Sequence, residues 1–515
     1  MNDTLKMTVG EWARTYIKQD EIDRYLSVDE AGNARDFIDE DSIEADLEAG
    51  KGTAATPEKV REIIKKAYDI KLMSSSDTAA LLQVTDPTLK EEVFKAAREI
   101  KTKVYDNRVV TFAPLYCGSK CVNKCKYCGF SCDNESVERR VLTVDEIEAE
   151  ARVLAGKLGH KRLVMVYGEH PDTDADYIAE SMKRVYAIKE KVRNGLGEIR
   201  RVNVNAAPMR IDDLKKLHEA GIGTFQVFQE TYHKATYRSV HPEGTLKGNY
   251  RWRLYALHRA MDAGIDDVAV GALFGLYDWK FEVMGLVAHA RDLEKRYGLG
   301  PHTVSVPRLE GAAGTDFSWV AHRVSDDDFR YLIAVIRLAI PSAGLIVTNR
   351  EKPEMIKSVI KMCTQRDAAT RIGIGAYAEG YADDKGTAKQ EEDKQQFELG
   401  DTRGLNEIIR ELVDMGHIVS FCTAGYRCGR TGKKIMGLLE SGQERCFCKL
   451  NAVLTFQEWL EDFGSDDTKA KGEAIIAKEM EEIRAKVGTD YNQAIWDHLV
   501  KALDKIKAGE RDLFF

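Results

Sequence analysis

The chain has 515 residues, ten of them cysteine, and 76 Lys and Arg against 84 Asp and Glu give it a formal net charge of −8. Acidic and basic residues are interspersed throughout, which excludes an electrostatic footprint for nucleic acid or an anionic membrane. No run reaches the roughly 18 apolar residues of a membrane span, and the opening Met1-Asn-Asp-Thr-Leu-Lys-Met lacks the layout of a signal peptide, so the expected compartment is the cytoplasm.

The first 50 residues are polar and acid-rich, with Trp12 to Ile17 as their main apolar patch, and are expected to wrap over the rest as short helices. Thr56-Pro57 is a good N-cap and N1 pair, followed by Val60, Ile63, Ile64 and Ala67 at helical spacing. Asp86-Pro87 opens another helix, with Leu89, Val93, Phe94, Ala97 and Ile100 on one face. Residues 1–108 therefore read as a helical extension. Val109 to Tyr116 is a buried strand that delivers a cysteine loop at its C-terminal end. Alternation follows: a helix opened by the capping box Thr143-Val-Asp-Glu146, a strand over 163–168, a helix over 176–194, and a strand over 202–205. A helix over 212–220, a strand over 224–229 and a helix over 250–263 come next, then strands over 268–274, 303–306 and 344–348, and an eighth at 367–370. Strands alternating with helices give a parallel sheet, and about eight repeats close it into a (β/α)8 TIM barrel over 109–377, with catalytic groups at the strand C-terminal ends. Residues 378–397 read as a polar linker. Residues 398–515 form a mainly helical domain ending in two amphipathic helices, with Ile476, Met480, Ile483 and Val487 and then Ile495, Leu499, Leu503 and Ile506 on their apolar faces.

Cys121, Cys125 and Cys128 are spaced C-x3-C-x2-C. Three thiolates so placed cap three irons of a cubane and leave the fourth open, whereas electron-carrier clusters are held by four. Structural zinc needs a fourth ligand and a second pair nearby, and no such pair follows. Ten cysteines grouped in two places point to metal rather than disulfides. Cys117 and Cys132 flank the loop and are not counted as ligands. The spacing, with aromatic Tyr127 before the third cysteine, resembles that of the radical S-adenosylmethionine (SAM) enzymes. That resemblance implies a 4Fe-4S cluster with SAM on the open iron. Strand ends should then supply polar groups to SAM. Tyr167-Gly168-Glu169 resembles the motif that meets its amino group, and Gly271-Ala-Leu273-Phe-Gly275 the adenine motif. Asn203, Asn205, Gln229 and Glu230 end the third and fourth strands.

Longer blocks resemble one family of these enzymes, HydG, the tyrosine lyase maturases of FeFe-hydrogenase. They include Phe112-Ala-Pro-Leu-Tyr116, Arg201-Val-Asn-Val-Asn205, Phe228-Gln-Glu-Thr-Tyr-His233, Val306-Pro-Arg-Leu309, Gln396-Phe-Glu-Leu-Gly-Asp401 and Ser420-Phe-Cys-Thr-Ala424. The resemblance implies cleavage of the Cα–Cβ bond of tyrosine to p-cresol and dehydroglycine, with an electron donor such as flavodoxin or ferredoxin, and other maturation proteins as partners. It also implies a second iron–sulfur cluster in the C-terminal domain, on which dehydroglycine becomes carbon monoxide and cyanide. Arg308 is the expected cation for the substrate carboxylate. His289 matches a position proposed in the family to touch an added iron.

Two departures qualify this. The family's C-x2-C-x22-C is represented by Cys422 and Cys448, but the middle position is Gly425, leaving Cys428 or Cys446 to complete a three-cysteine site; Cys422, Cys428 and Cys448 are the expected set. At the substrate site, Glu310 stands where a basic residue is usual, and the eighth strand carries Asp367 in place of a serine-rich pattern. A paralogue acting on another amino acid, and an iron–sulfur carrier or assembly scaffold, are the alternatives.

Overall fold

The computed structural model describes residues 8–380, 390–440 and 443–515; the opening residues 1–7 and the central part of the 378–397 segment lie outside them. Eight parallel strands close on themselves: β1 Val109–Gly118, β2 Arg162–Tyr167, β3 Arg201–Asn205, β4 Phe225–Gln226, β5 Val268–Gly271, β6 Thr303–Ser305, β7 Gly344–Val347 and β8 Gln365–Asp367, with β8 hydrogen-bonded back to β1. This is a (β/α)8 barrel. All ten residues of β1 are buried, as expected of a strand covered on both faces. Its upper part pairs with β2 from Ala113 onward, and Gln365 of β8 pairs with Val110.

Local chemistry explains most of the elements. The box at Thr143 and Glu146 caps the helix Val144–Arg152, and Asp86 accepts a hydrogen bond from the Leu89 amide at the head of Pro87–Tyr105. Val60, Ile63, Ile64 and Ala67 are the buried stripe of Pro57–Ala67. The differences are local. The helix expected over 176–194 stops at Tyr186, because Glu190-Lys191 turns into a two-stranded hairpin with Leu196-Gly197. The helix expected over 250–263 is broken at Tyr255. β4 is shorter than its apolar run, and β8 begins two residues early, at Gln365. Val487 lies past the end of the helix Asp466–Ala485.

A ninth strand, β9 Val419–Ser420, pairs with Val109 and Val110 at the start of β1. The C-terminal helices are thereby fixed to the N-terminal end of the barrel, opposite the cysteine loop. A buried network secures the join: Glu458, on the helix Glu444–Asp462, accepts from Lys161 at 2.7 Å and from Arg200 at 2.6 Å. These two cations stand immediately before β2 and β3, and they hold the Glu458 carboxyl far below the carboxylate range against the opposing effect of burial. Removing one partner of such a network strands the others' charge. Glu458→Ala is therefore expected to lower stability by about 3–5 kcal/mol, read from denaturant unfolding.

Candidate active site

A cavity of about 1430 Å³ opens at the C-terminal end of the barrel. Cys121, Cys125, Cys128, Tyr127, Gly168, Glu169, Asn205, Glu230 and Leu273 all line it. The cysteine loop is stitched to the end of β2: the Gly168 amide donates to the Gly118 carbonyl at 2.9 Å, and the Val122 amide to that of Glu169 at 2.8 Å. Gly168 is required there, since a Cβ would run into the Lys120 carbonyl. Gly168→Ala must displace backbone rather than a side-chain tip. It is expected to lower the melting temperature by several degrees and weaken iron loading, checked by calorimetry and an iron assay.

Asn123 organises the loop from within. Its Nδ2 donates to Glu169 Oε2 at 2.5 Å and lies 3.6 Å from Cys121 Sγ, while its Oδ1 accepts from the Lys247 amide at 2.8 Å. Gln396 Nε2 is 3.5 Å from Cys128 Sγ, and Gln396 Oε1 accepts from the Tyr116 hydroxyl at 3.2 Å. Amide donors thus face two of the three sulfurs, an environment suited to thiolates. Leu273 and Leu276 pack with Cys125 and Tyr127 in a small apolar cluster. Burial raises the Cys121 thiol and pushes that of Cys125 up to about 12, so metal must displace protons to bind here. Tyr127 is fixed by a 2.8 Å hydrogen bond to His241 Nε2, whose Nδ1 lies 3.0 Å from the Tyr237 carbonyl.

Glu230 sits at φ +71, outside the usual range of a non-glycine residue. Its carboxylate pairs with Lys247 at 2.8 Å and Arg253 at 3.1 Å. Burial would raise it, yet the two cations hold it below its ordinary range. Strain of this kind clusters at ligand sites.

Several expected residues lie elsewhere. Asn203 is deeper in β3, where its Oδ1 accepts from the Thr224 amide at 2.9 Å. Gln229 is buried but absent from the cavity wall. Gly271 acts indirectly: a Cβ there would stand 2.6 Å from the ring of Phe228, which does line the cavity. His289 is buried in the core, 2.9 Å from the Tyr232 hydroxyl and stacked on His258. Arg308 is outside the cavity, its guanidinium held by Glu351 through both Nε, at 2.8 Å, and Nη2, and by Asp326 at 2.8 Å. A bidentate pair leaves Arg308 no fork for a substrate. Sequence reasoning missed Arg350, three residues past β7. It lines the cavity, lies 3.4 Å from the Phe397 ring centroid and forms no ion pair with a described residue. The segment read as a linker also contributes Gln396 and Phe397 to the wall.

Asp367 lines the same cavity, accepting from the Ala369 amide at 2.7 Å. Burial raises its carboxyl to about 6. The folded chain thus holds this proton more tightly than the unfolded one. Stability falls as pH rises from about 4 to about 6 and stays lowered above that. Asp367→Asn is expected to gain up to about 3 kcal/mol at pH 8 and nothing at pH 4, measured by melting at the two values.

A second cavity, about 490 Å³, lies at the opposite end of the barrel. Arg108, Asp267 and His302, just ahead of β1, β5 and β6, meet Cys422, Gly425, Arg430 and Cys448 there. Cys422 has φ +49. Cys428 is not in this wall: its Sγ donates to the Phe515 carbonyl at 3.2 Å. Cys446 is also outside, packed against the core. The expected set of Cys422, Cys428 and Cys448 is therefore not brought together.

Comparisons with known proteins agree with this geometry. The Radical SAM superfamily model matches residues 115–284, and the Biotin and Thiamin Synthesis associated domain matches 305–418. A crystal structure of HydG, described as a maturase of the FeFe-hydrogenase, is 43% identical, with a TM-score of 0.85 over 93% of this chain and 100% of that one. The FeFe-hydrogenase maturase HydG from Carboxydothermus hydrogenoformans is 32% identical, with a TM-score of 0.75 over 95% and 100%. The 2-iminoacetate synthase of Salmonella typhimurium is 30% identical over 62% of this chain and 81% of its own length. A strand-end cavity walled by a three-cysteine loop in such a barrel defines a radical SAM enzyme, and the chain belongs to that superfamily. Within it, the chain belongs to the HydG family.

Proposed function

We propose that the chain is a radical SAM lyase that cleaves the Cα–Cβ bond of L-tyrosine to p-cresol and dehydroglycine, in the cytoplasm, as part of FeFe-hydrogenase maturation. The observation that carries the reading is the single cavity in which three thiols, the Glu230 cluster and Arg350 face one another. Cys121, Cys125 and Cys128 would hold a 4Fe-4S cluster, which with SAM bound supplies a 5′-deoxyadenosyl radical able to take hydrogen from the tyrosine amino group.

The chain's own residues bind and orient. Glu169, Asn205, Glu230 and Leu273 would hold SAM, and Gly168 keeps the β2 end close to the loop. Arg350 receives the tyrosine carboxylate, a role suited to a guanidinium that no described carboxylate pairs. Phe397, stacked on Arg350, and Gln396, bonded to Tyr116, complete the wall on that side. Phe112, Val164 and Ile346 form an apolar cluster in the same wall for the aromatic ring. Positioning matters because a primary carbon radical attacks whatever group lies within about 3–3.5 Å.

An electron donor such as flavodoxin or ferredoxin completes the system, with other hydrogenase maturation proteins as partners. Among the described residues no helix is long and apolar enough to cross a membrane. The test is anaerobic turnover of reconstituted protein with SAM, reductant and tyrosine. Equal amounts of 5′-deoxyadenosine and p-cresol are expected; SAM cleavage without p-cresol would mean a different amino acid is the substrate.

A further inference from the structure

The resemblance to HydG implies a second cluster, yet the residues at the far end of the barrel do not suit one held by three cysteines. Cys422 and Cys448 face the cavity there, and the position between them in the ligand pattern is Gly425, which carries no donor atom. The two spare thiols do not substitute. Cys428 closes the short helix Ala424–Arg427 and turns its Sγ to the Phe515 carbonyl, at 3.2 Å. That carbonyl is a shared anchor, since Arg430 also donates to it, at 3.0 Å, and Asn451 both donates to it and accepts from the Phe515 amide, at 2.9 Å. Turning Cys428 toward the cavity would give up one of the four hydrogen bonds that meet at Phe515, with Arg430 and Asn451 still holding the other three. Cys446 is two residues from Cys448 on the helix Glu444–Asp462, and two residues on a helix differ by about 200°. Cys448 faces the cavity, so Cys446 points away.

The space for a third ligand nevertheless remains. A Cβ at Gly425 would meet only the Arg430 carbonyl oxygen at 3.6 Å and the Arg430 Cβ at 4.0 Å, both ordinary contacts. The rest of the wall mixes apolar side chains with Arg108, Asp267, His302 and Arg430.

We infer that this cavity holds no cubane because its third thiolate is missing, and that the chain therefore releases its imine product unconverted. This rests on the tyrosine lyase reading above. Dehydroglycine, HN=CH–COO⁻, then has two fates that need no oxidant or reductant. A separate condensing enzyme captures its C=N carbon with a nucleophile, or water adds across the C=N bond and gives glyoxylate and ammonia. The class of reaction that must follow this chain is thus imine capture. It is not conversion to carbon monoxide and cyanide within the same polypeptide.

The experiment compares the full-length chain with its Gly425→Cys and Cys428→Ala variants after anaerobic reconstitution. It reads iron and sulfide content, the electron paramagnetic resonance signals of the reduced protein with and without SAM, and glyoxylate and carbon monoxide after turnover. The parent chain should carry about four irons and one SAM-responsive signal, with glyoxylate equal to p-cresol and no carbon monoxide. Cys428→Ala should be indistinguishable from it. Gly425→Cys should gain about four irons and a second signal insensitive to SAM. About eight irons in the parent chain, falling to about four in Cys428→Ala, would overturn the inference by making Cys428 a ligand. A Gly425→Cys protein that keeps its SAM-responsive signal yet gains no iron would also overturn it, since the missing thiolate would not be the obstacle. Absence of p-cresol refutes the lyase reading, while the iron counts still decide the inference.

Discussion

Cys125→Ser abolishes activity: 5′-deoxyadenosine formation falls by at least 10³-fold, an order-of-magnitude expectation for losing the group on which the chemistry depends. Iron content falls from about four per chain toward zero under the same reconstitution. Cys125 is the most enclosed of the three thiols, packed against Tyr127, Leu273 and Leu276. Serine fits its space but is a poor iron ligand beside a thiolate. Cys132→Ser, one turn beyond the loop, is the control. Its thiol lies beside Asp133 and outside the cavity wall, so iron and turnover should be unchanged. An unchanged iron content in Cys125→Ser, measured with a chelator assay, would remove the loop from the site.

Arg350→Gln raises the KM for tyrosine by about 10²-fold, because a charged hydrogen bond to a carboxylate is lost from a partly desolvated cavity, worth about 2–3 kcal/mol. SAM affinity, read by the shift of the reduced cluster's resonance signal, should move far less. Arg308→Gln should behave differently. It leaves Glu351 buried without its bidentate partner, so the loss appears in melting temperature, with KM within a few-fold of the parent. If Arg308→Gln raises KM and Arg350→Gln does not, the assignment of the carboxylate anchor reverses. Glu310 bears on the same pair. Burial and the neighbouring Glu351 raise its carboxyl, and Arg308 and Arg350 pull it down, so it sits within the field of both arginines without lining the cavity.

These contrasts show where the sequence is informative. The cysteine loop, the Gly168 turn and Glu230 are legible because the chemistry is local: the ligands follow one another within eight residues, and the strand-end rule says where they must point. The helices capped at Asp86 and Thr143 are legible for the same reason. Asn203 and Asn205 look alike in the sequence, being two apart on one face of β3, but only Asn205 is high enough to reach the cavity. Arg308 and Arg350 are both arginines just beyond strand ends. What separates them is Glu351, which folds back onto Arg308 from another βα loop, a contact that no spacing reveals. Gln396 and Phe397 lie in a polar stretch whose composition says linker, and only tertiary contact with Tyr116 and Arg350 makes them part of the site. At the far cavity, Cys446 and Cys448 sit two apart on the helix Glu444–Asp462 and so fall on opposite faces, a separation that follows from helix geometry alone.

In the proposed reaction, hydrogen leaves the amino group of a tyrosine bound in the cavity under the cysteine loop, and the Cα–Cβ bond then breaks. The most direct measurement is anaerobic turnover of tyrosine in deuterium oxide, with mass analysis of both organic products. The expected result is p-cresol in amounts equal to 5′-deoxyadenosine, and one deuterium in the 5′-deoxyadenosine, because the abstracted hydrogen exchanges with solvent. Unlabelled 5′-deoxyadenosine, or labelled product without p-cresol, would contradict it.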